Sequence, residues 1–380
     1  QALLTGLGIG PDDFRRPVES FSGGWKMRIE LAKILTLNPD VLLLDEPTNH
    51  LDMESIIWLE EWLTNEFKGA LLMTCHDRDF MNRIVSRIIE VGNRTVTTYS
   101  GNYDFYLRER EIRREQLLAS YRRQQEMLAK EEEFIARFAA RPSHSAQVQS
   151  RAKKIEKIER IELPPEQKII KFEFAEPPRS GDDVLALEDL AKTWALPDGN
   201  SKSVFGGISG MLRRQEKIAV VGVNGAGKST FLKMLAGQTE PSTGSLKVGA
   251  NVSIGYFSQH SMELLSPEKT VFETVQETIP QATIGVVRNL CAAFLFQNDD
   301  VDKRIANLSG GEKSRVVLAT LLARPLNLLI LDEPTNHLDI QSREILLDAL
   351  QKFTGTVVLV SHDRHFLRSL VKRVFEIDHG

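Results

Sequence analysis

The feature that most constrains this chain is a long internal repeat. Residues 22–52 align without gaps on residues 309–339, and eighteen of the 31 aligned positions are identical. The string DEPTNHLD is fully identical and occurs at 45–52 and again at 332–339. Segments this similar indicate two homologous domains in one chain. A length of 380 residues is sufficient for two domains of ordinary size.

The two copies differ in how much chain accompanies the repeat. A strand-like run opens at Val184, far ahead of the second copy, whereas only 21 residues precede Ser22 in the first. We therefore expect an incomplete first domain, in a chain that is the middle of a longer protein, truncated at both ends. The predicted divisions are the C-terminal part of a first domain over 1–102, a linker over 103–180 and a second domain over 181–380.

Composition limits the environment in which this chain functions. The net charge of −4 predicts no general affinity for nucleic acid, so any such binding requires a local basic patch. The two cysteines, Cys75 and Cys291, lie far apart and form no CxxC pair, which argues against a zinc site or structural disulfide. No run of about 18 uncharged apolar residues is present, so we expect no membrane span. These features are typical of a cytoplasmic protein.

A glycine-rich loop at 222–229 has the spacing of a phosphate-binding P-loop. Its sequence GVNGAGKS fits GxxxxGK[ST], with an apolar strand-like run before it and a helix-like run after it. Backbone amides of such a loop and the N-terminus of the next helix bind phosphates, while the lysine reaches the β- and γ-phosphates. The loop alone does not distinguish among P-loop enzymes. The predicted nucleotide contacts here are Gly222, Asn224, Gly225, Ala226, Gly227, Lys228, Ser229 and Thr230.

Two adjacent carboxylates end an apolar run in both copies of the repeat. The run LLIL at 328–331 is typical of a buried parallel strand and leads into Asp332 and Glu333. Asp45 and Glu46 hold the same place in the first copy. The aspartate is predicted to hold Mg²⁺ and the glutamate to polarise the attacking water. An isolated acidic pair is usually only a strand end, but the recurrence of this pair weakens that alternative.

The motifs around these residues resemble those of ABC-type ATP-binding domains. LSGGE at 308–312 and FSGGW at 21–25 resemble the ABC signature, although Phe21 and Trp25 stand where a generic ABC domain has Leu and Gln. Gln259 resembles the Q-loop glutamine, and His76 and His362 resemble the switch histidines. The doubled DEPTNHLD string and the charged linker resemble the ABC-F branch of this family.

The resemblance implies an α/β fold with two ABC-type P-loop NTPase domains, the first incomplete, that pair head to tail around ATP and Mg²⁺. One site in residues 1–380 would combine the second domain's P-loop with the first domain's signature. The implied catalytic residues are Glu333, His362, Gln259, Glu46 and His76, and the implied metal ligands are Ser229, Gln259, Asp332 and Asp45. The implied signature contacts to nucleotide are Ser22, Gly23, Gly24, Ser309, Gly310 and Gly311. Trp194 holds the place of an adenine-stacking aromatic, with a partly buried core tryptophan as the equal alternative.

The linker is predicted to form an antiparallel α-helical hairpin. Residues 103–139 lack proline and glycine and are rich in strong helix formers. A turn signal at 141–145 precedes a second helix predicted over 146–161, which Pro164 and Pro165 would end. The stretch 137–160 carries a local charge of +5 and suits contact with a phosphate backbone, although a solvated spacer is the alternative. In ABC-F proteins this element enters the ribosome and touches tRNA.

Three functions fit these features to different degrees. The favoured interpretation is a ribosome-associated ATPase that regulates or rescues translation, with ribosome and tRNA contacted through 137–160. The first alternative is a twin ATPase subunit of an ABC membrane transporter, which has no evident need for a long hairpin. The second is an ABC ATPase of DNA maintenance, in which a coiled coil or zinc module usually interrupts a domain and does not join two domains.

Overall fold

The structure is a computed structural model that describes residues 1–49, 51–92, 94–163, 177–195 and 201–378. The side chains of Pro142 and Gln259 are outside this description, as are His50 of the first DEPTNHLD string and the predicted helix stop at Pro164 and Pro165. The chain forms two compact units. One comprises residues 1–80 and 169–380, and the other comprises residues 81–168.

The N-terminal segment of the first unit alternates helices and strands. Its elements are α1 (Ala2–Gly6), α2 (Gly23–Thr36), β1 (Val41–Asp45), α3 (Met53–Asn65), β2 (Ala70–Thr74) and α4 (Arg78–Ile84), which runs across the boundary into the second unit. Strands β1 and β2 pair in parallel, with Asp45 opposite Thr74. Helix α3 begins where the Asp52 side chain accepts a hydrogen bond from Ser55 N, the usual role of an aspartate at an N-cap.

The second unit is a small hairpin of strands followed by a hairpin of helices. Its elements are β3 (Ile88–Gly92), β4 (Thr95–Tyr99), α5 (Tyr103–Phe138) and α6 (Ser145–Glu156). Gln124 bonds to Glu159 O and Ile161 N, and Glu131 pairs with Arg151, so the returning chain runs antiparallel to α5. The predicted helical hairpin is therefore confirmed. The predicted end of its second helix was wrong, because α6 stops at Glu156 rather than near residue 161.

The C-terminal segment of the first unit contains the second copy of the repeat. Its elements are β5 (Asp183–Ala195), β6 (Ser201–Arg213), β7 (Lys217–Val221), α7 (Lys228–Leu235), β8 (Thr243–Val248), β9 (Ile254–Phe257), α8 (Val271–Thr278), α9 (Ile284–Ala293), α10 (Gly310–Leu322), β10 (Leu328–Asp332), α11 (Ile340–Lys352), β11 (Thr356–Val360), α12 (Arg364–Leu370) and β12 (Arg373–Glu376). Strands β6, β5 and β8 form an antiparallel sheet.

The C-terminal segment of the first unit also contains a parallel five-stranded sheet. Its strand order is β12-β7-β11-β10-β9. All five residues of β10 are buried, because alternate side chains enter different cores. Leu329 and Leu331 pack into a core with α8 to α11, whereas Leu328 and Ile330 pack into a core with β5, β6 and α7. Burial on both faces explains why this strand is an unbroken apolar run.

The corresponding strands of the first copy bury one face only. Leu42 and Leu44 of β1 are buried, while Val41 and Leu43 are 59% and 67% exposed. Their repeat partners in β10 are fully buried. The two copies of the repeat share these local elements, and the predicted α/β fold with a helical hairpin is confirmed.

Candidate active site

The P-loop sits between β7 and α7, and its backbone depends on glycine. Gly222, Gly225 and Gly227 have φ angles of +147°, +88° and +98°, which L side chains rarely adopt. A Cβ on Gly222 would lie 2.2 Å from Ile377 O, and one on Gly227 would lie 2.3 Å from Val204 Cγ1. The predicted loop therefore has the tight backbone that presents amides to an anion.

Lys228 begins α7, and its buried ammonium group lies against the loop itself. Its Nζ donates to the carbonyl oxygens of Gly222 and Val223 at 2.7 and 3.1 Å, and it lies 3.4 Å from Asn224 Oδ1. Burial lowers the pKa of Lys228, against the opposing effect of nearby carboxylates that include Glu333. The ammonium group is thus held at the centre of the loop by its carbonyl oxygens.

The carboxylate pair lies at the end of β10, beside the P-loop. Asp332 is 7% exposed, and its Oδ1 has no hydrogen-bond partner among the described residues. Burial raises the pKa of Asp332 to about 6, although the neighbouring Ser229 hydroxyl opposes the rise. A buried carboxylate oxygen beside a serine hydroxyl is the donor set of a hard divalent cation. Ser229 and Asp332 therefore fit the predicted Mg²⁺.

Glu333 follows the strand in a left-handed conformation, with φ of +51°. Its Oε1 lies 3.1 Å from Nε2 of His362, the second residue after β11. Burial raises the pKa of Glu333 to about 7. Burial and the charge of Lys228 lower the pKa of His362 to about 4. The pair combines a carboxylate of raised basicity with a neutral imidazole, an arrangement suited to orienting water.

The first copy reproduces this geometry with its own residues. Glu46 also has a positive φ, of +47°, and its Oε1 lies 3.5 Å from His76 Nε2. The backbone amide of His76 donates to Glu46 Oε2 at 3.2 Å. The hydroxyl of Thr74 donates to Asp45. Positive φ at both glutamates is a backbone strain that recurs at equivalent sites, as expected of functional positions.

A contact across the repeat brings the first copy to the P-loop of the second. Asp52 Oδ2 accepts a hydrogen bond from the backbone amide of Asn224 at 3.2 Å. The same oxygen accepts from both terminal nitrogens of Arg28, also at 3.2 Å, and Arg28 is fully buried on α2. Burial alone would raise the pKa of Asp52, but Arg28 and the hydrogen bonds outweigh it and lower that pKa. This network ties the signature helix of one copy to the P-loop of the other.

The two signature segments occupy helix N-termini but are capped differently. Ser309 precedes Gly310 and Gly311, and its hydroxyl accepts from Glu312 N in a capping box that opens α10. Ser22 precedes Gly23 and Gly24 at the start of α2, and its side chain makes no cap bond. Trp25 stands where the second copy has Glu312, and the Arg28 guanidinium lies 4.8 Å from its ring centroid. The departure from the signature pattern thus replaces a cap with a stacking contact.

Gln259 and Trp194 are the remaining residues predicted for the nucleotide site. Gln259 follows β9 in a short 3-10 turn, and its side chain is outside the description. Trp194 lies near the end of β5 and is 44% exposed, with Lys192 Nζ 4.3 Å from its ring centroid. Trp194 is therefore only partly buried. Trp194 belongs to the antiparallel sheet whose Val204 lies against the P-loop, and its stacking on adenine stays a prediction.

A buried ion pair further along the same surface also joins the two copies. Arg364, two residues after His362, is 6% exposed and donates through both terminal nitrogens to Glu60 of α3, which is 3% exposed. Asp77 and Asp79 lie 3.9 Å from the same guanidinium. Charges this deeply buried are tolerated because they are paired.

Replacing Arg364 with methionine is expected to lower the free energy of unfolding by about 3–5 kcal/mol, because the Glu60 charge stays buried without its partner. The double variant Glu60→Leu, Arg364→Met should recover most of the loss. Urea denaturation measures both. Arg368→Met is the control, since Arg368 pairs with Asp79 at the surface, where an ion pair contributes at most about 1 kcal/mol. Equal losses for Arg364→Met and Arg368→Met would contradict the prediction.

Sequence reasoning missed three arginines at this site. Arg28 recurs as Arg315 in the repeat, so the alignment carried a signal for it. Arg364 recurs as Arg78, but only the structure shows that Arg364 bonds to a buried glutamate of the other copy. Arg343 has no repeated counterpart, since Ile56 holds its place in the first copy. No motif or repeated position singled out Arg343.

Comparison with family models agrees with this geometry. A model described as ABC transporter matches residues 1–49 and 205–336, which include both signature segments and the P-loop. A second model with the same description matches residues 89–174, which contain the helical hairpin. No helix in the described parts of the chain combines the length and apolar character that crossing a membrane requires.

Relatives align along nearly the whole chain. The ATP-binding protein YdiF of Bacillus subtilis is 40% identical over 99% of this chain and 58% of its own length. ABC transporter F family member 5 of Arabidopsis thaliana is 39% identical over 100% of this chain and 54% of its own length. The ATP-binding protein YbiT of Escherichia coli O157:H7 is 38% identical over 99% of this chain and 70% of its own length. This chain thus spans little more than half of the first two.

Solved structures show the same fold at lower identity. RNase-L Inhibitor matches with a TM-score of 0.63 and 22% identity, covering 99% of this chain and 65% of its own. A complex of an archaeal ribosomal stalk protein with the ribosome recycling factor aABCE1 matches with a TM-score of 0.64 and 21% identity, covering 99% and 65%. At this identity the likeness describes the fold alone.

Proposed function

The chain belongs to the ABC-F family of ATP-binding proteins, and from this membership we propose that it binds and hydrolyses ATP at a site shared by the two copies of its repeat. The observation that carries the proposal is the hydrogen bond from the P-loop amide of Asn224 to Asp52. This bond brings the first copy to the one P-loop sequence of residues 1–380, beside Asp332, Glu333 and His362.

Each residue of the proposed site has a task set by its position. The amides of the P-loop and of the α7 N-terminus bind phosphate oxygens, and Lys228 exchanges its carbonyl partners for the β- and γ-phosphates. Ser229, Asp332 and Gln259 are proposed to hold Mg²⁺, which neutralises phosphate charge when bound. Glu333 polarises the attacking water, and His362 orients it together with the γ-phosphate.

The first copy contributes its signature to the same nucleotide. Ser22, Gly23 and Gly24 lie at the N-terminus of α2, whose Arg28 bonds to the Asp52 that contacts the P-loop. Amides at a helix N-terminus favour the negative γ-phosphate side. Bound ATP then holds the two copies together because both contact it, and hydrolysis weakens their contact. The set proposed for a second, equivalent site is Asp45, Glu46, His76, Ser309, Gly310 and Gly311.

The hairpin is proposed to contact the ribosome and tRNA in the cytoplasm. This partner is supported by the ABC-F family resemblance and by the charge of +5 on residues 137–160. The likeness to the aABCE1 complex adds no support, because at 21% identity it describes only the fold. The structure refines the choice of residues. Glu131 of α5 forms ion pairs with Arg151 and Lys154 of α6 at 2.5 and 3.0 Å. These two bases therefore join the two helices of the hairpin, and other bases are proposed for the RNA contact. The exposed bases proposed for RNA phosphates are Arg137, Arg141, Lys153, Lys157 and Arg160.

Replacing Lys153 and Lys157 with alanine is expected to reduce ATP-dependent binding to ribosomes, because each lost phosphate contact reduces counterion release. Co-sedimentation should be measured across a salt series in the full-length protein with Glu333→Gln, which retains ATP. The salt slope of log K should fall by about 2 for two contacts. Replacing Arg122 and Arg123 on α5 removes two exposed bases outside 137–160 and should leave the slope unchanged.

Two results would contradict the proposed partner. If the salt slope of log K is the same for the Lys153, Lys157 variant and the unmodified protein, these two bases do not contact ribosomal phosphates. Recovery with membranes and not with ribosomes would favour the transporter alternative.

A further inference from the structure

Arg343 contacts three functional loops at once. It lies in the first turn of α11, directly after the second DEPTNHLD string, and its side chain is 12% exposed. Its Nε donates to Leu338 O at 3.0 Å, within that string. Its Nη1 donates to Asp363 Oδ2 at 3.1 Å and to the backbone carbonyl of His76, also at 3.1 Å. One guanidinium group therefore joins the second DEPTNHLD string to two segments called the switch loops here, residues 74–78 of the first copy and 360–364 of the second.

The two partners of Arg343 are adjacent to the proposed water-orienting pairs. His76 has its carbonyl held by Arg343, while its amide and ring face Glu46 at 3.2 and 3.5 Å. Asp363 immediately follows His362, whose ring lies 3.1 Å from Glu333. A displacement of either switch loop therefore moves the Nη1 donor that also bonds to the other loop.

Neighbouring residues strengthen the hold on the first copy's switch loop. Glu344, next to Arg343 on α11, accepts an ion pair from Arg78 at 2.9 Å and lies 3.5 Å from His365 Nε2. The small cavity between these groups, of about 10 Å³, admits no more than a water molecule. The first switch loop is thus bound by its backbone at His76 and by its side chain at Arg78. Both contacts come from consecutive residues of one helix.

Among the described residues, the first copy has no equivalent of the Arg343 bridge between the switch loops. Ser55 and Ser342 occupy equivalent repeat positions, so the counterpart of Arg343 in the first copy is Ile56. Ile56 is a buried side chain that cannot donate hydrogen bonds. The hydrogen-bonded bridge between the two switch loops therefore depends on the second copy alone.

We propose that Arg343 is a positioning residue that transmits the nucleotide state of the Lys228 site to the switch loop of the first copy. The proposal rests on the proposed ATP site and adds a direction to it. ATP at the P-loop draws His362 toward the γ-phosphate, Asp363 moves with it, and the shared guanidinium carries the change to the carbonyl of His76. Coupling through a side chain with three fixed acceptors needs no movement of the cores.

Hydrogen exchange resolved by segment tests this route in the chain carrying Glu333→Gln. With Arg343 intact in that chain, ATP should slow amide exchange about 10-fold in both 360–364 and 74–78, because local opening in both loops is suppressed. Arg343→Met should abolish the response of 74–78 and retain that of 360–364, with ATP affinity changed by less than about threefold. The control Arg368→Met removes an exposed arginine that also bonds across the copies, to Asp79, and should retain both responses.

A second variant separates positioning from stability. Arg343→Lys keeps a cation but loses the planar fork that reaches several acceptors. It should unfold at the same urea concentration as the unmodified chain and still lose the ATP response of 74–78. A preserved response of 74–78 in Arg343→Met or in Arg343→Lys would overturn the inference. Absence of ATP binding, or of any response in 360–364 of the unmodified chain, would overturn the proposed function itself and the inference with it.

Discussion

Glu333→Gln is expected to reduce the rate of ATP hydrolysis by about 10²- to 10³-fold, because the amide cannot accept a proton from the attacking water. The side chain keeps its size, and its distance of 3.1 Å from His362 need not change. ATP affinity should therefore change by less than about threefold. Phosphate release under saturating ATP and equilibrium binding of a fluorescent ATP analogue measure the two quantities separately.

A matched control distinguishes this effect from a general loss of carboxylate charge. Glu277 is an exposed glutamate that pairs with Lys269 on the surface, and Glu277→Gln should leave hydrolysis within about twofold of the unmodified rate. Hydrolysis by Glu333→Gln at more than a tenth of the unmodified rate would remove Glu333 from the proposed role. Loss of both binding and hydrolysis would instead indicate that the substitution disturbs the loop after β10.

Lys228→Met is expected to weaken ATP binding by at least about 100-fold, since the ammonium group is the single buried positive charge that the P-loop itself supplies to the phosphates. Methionine matches the length of the lysine stem, so helix α7 should persist. The carbonyl oxygens of Gly222 and Val223 lose their donor, which adds a small cost in stability. Isothermal titration with ATP and Mg²⁺ measures the affinity.

The control for this substitution is Lys247→Met on β8, where the lysine pairs with Glu188 at the surface. Its ATP affinity should match that of the unmodified chain. Circular dichroism of both variants verifies that the fold is retained. An affinity of Lys228→Met within threefold of the unmodified value would show that this loop is not the nucleotide site of the chain.

Much of the site followed from sequence because its residues are adjacent along the chain. The glycines of the P-loop are needed for a local backbone shape, and the carboxylates of β10 end one strand, so spacing alone predicts their arrangement. The hairpin was predicted for the same reason, since helix propensity and a turn signal are local properties. The end of α6 at Glu156 was missed because residues 157–161 have helical composition but leave the helix to bond back to Gln124.

The sequence by itself determined which elements form and which residues the P-loop and carboxylate pairs comprise, because these depend on contacts a few residues apart. The tertiary structure decided which groups meet across the repeat: Asp52 with the Asn224 amide, Glu60 with Arg364, and Arg343 with both switch loops. The pairs that join the two copies, Asn224 with Asp52, Arg343 with His76 and Arg364 with Glu60, are separated by 172, 267 and 304 residues. Packing and desolvation decide which distant partner a buried arginine side chain bonds to, and the spacing of residues along the chain does not encode this choice.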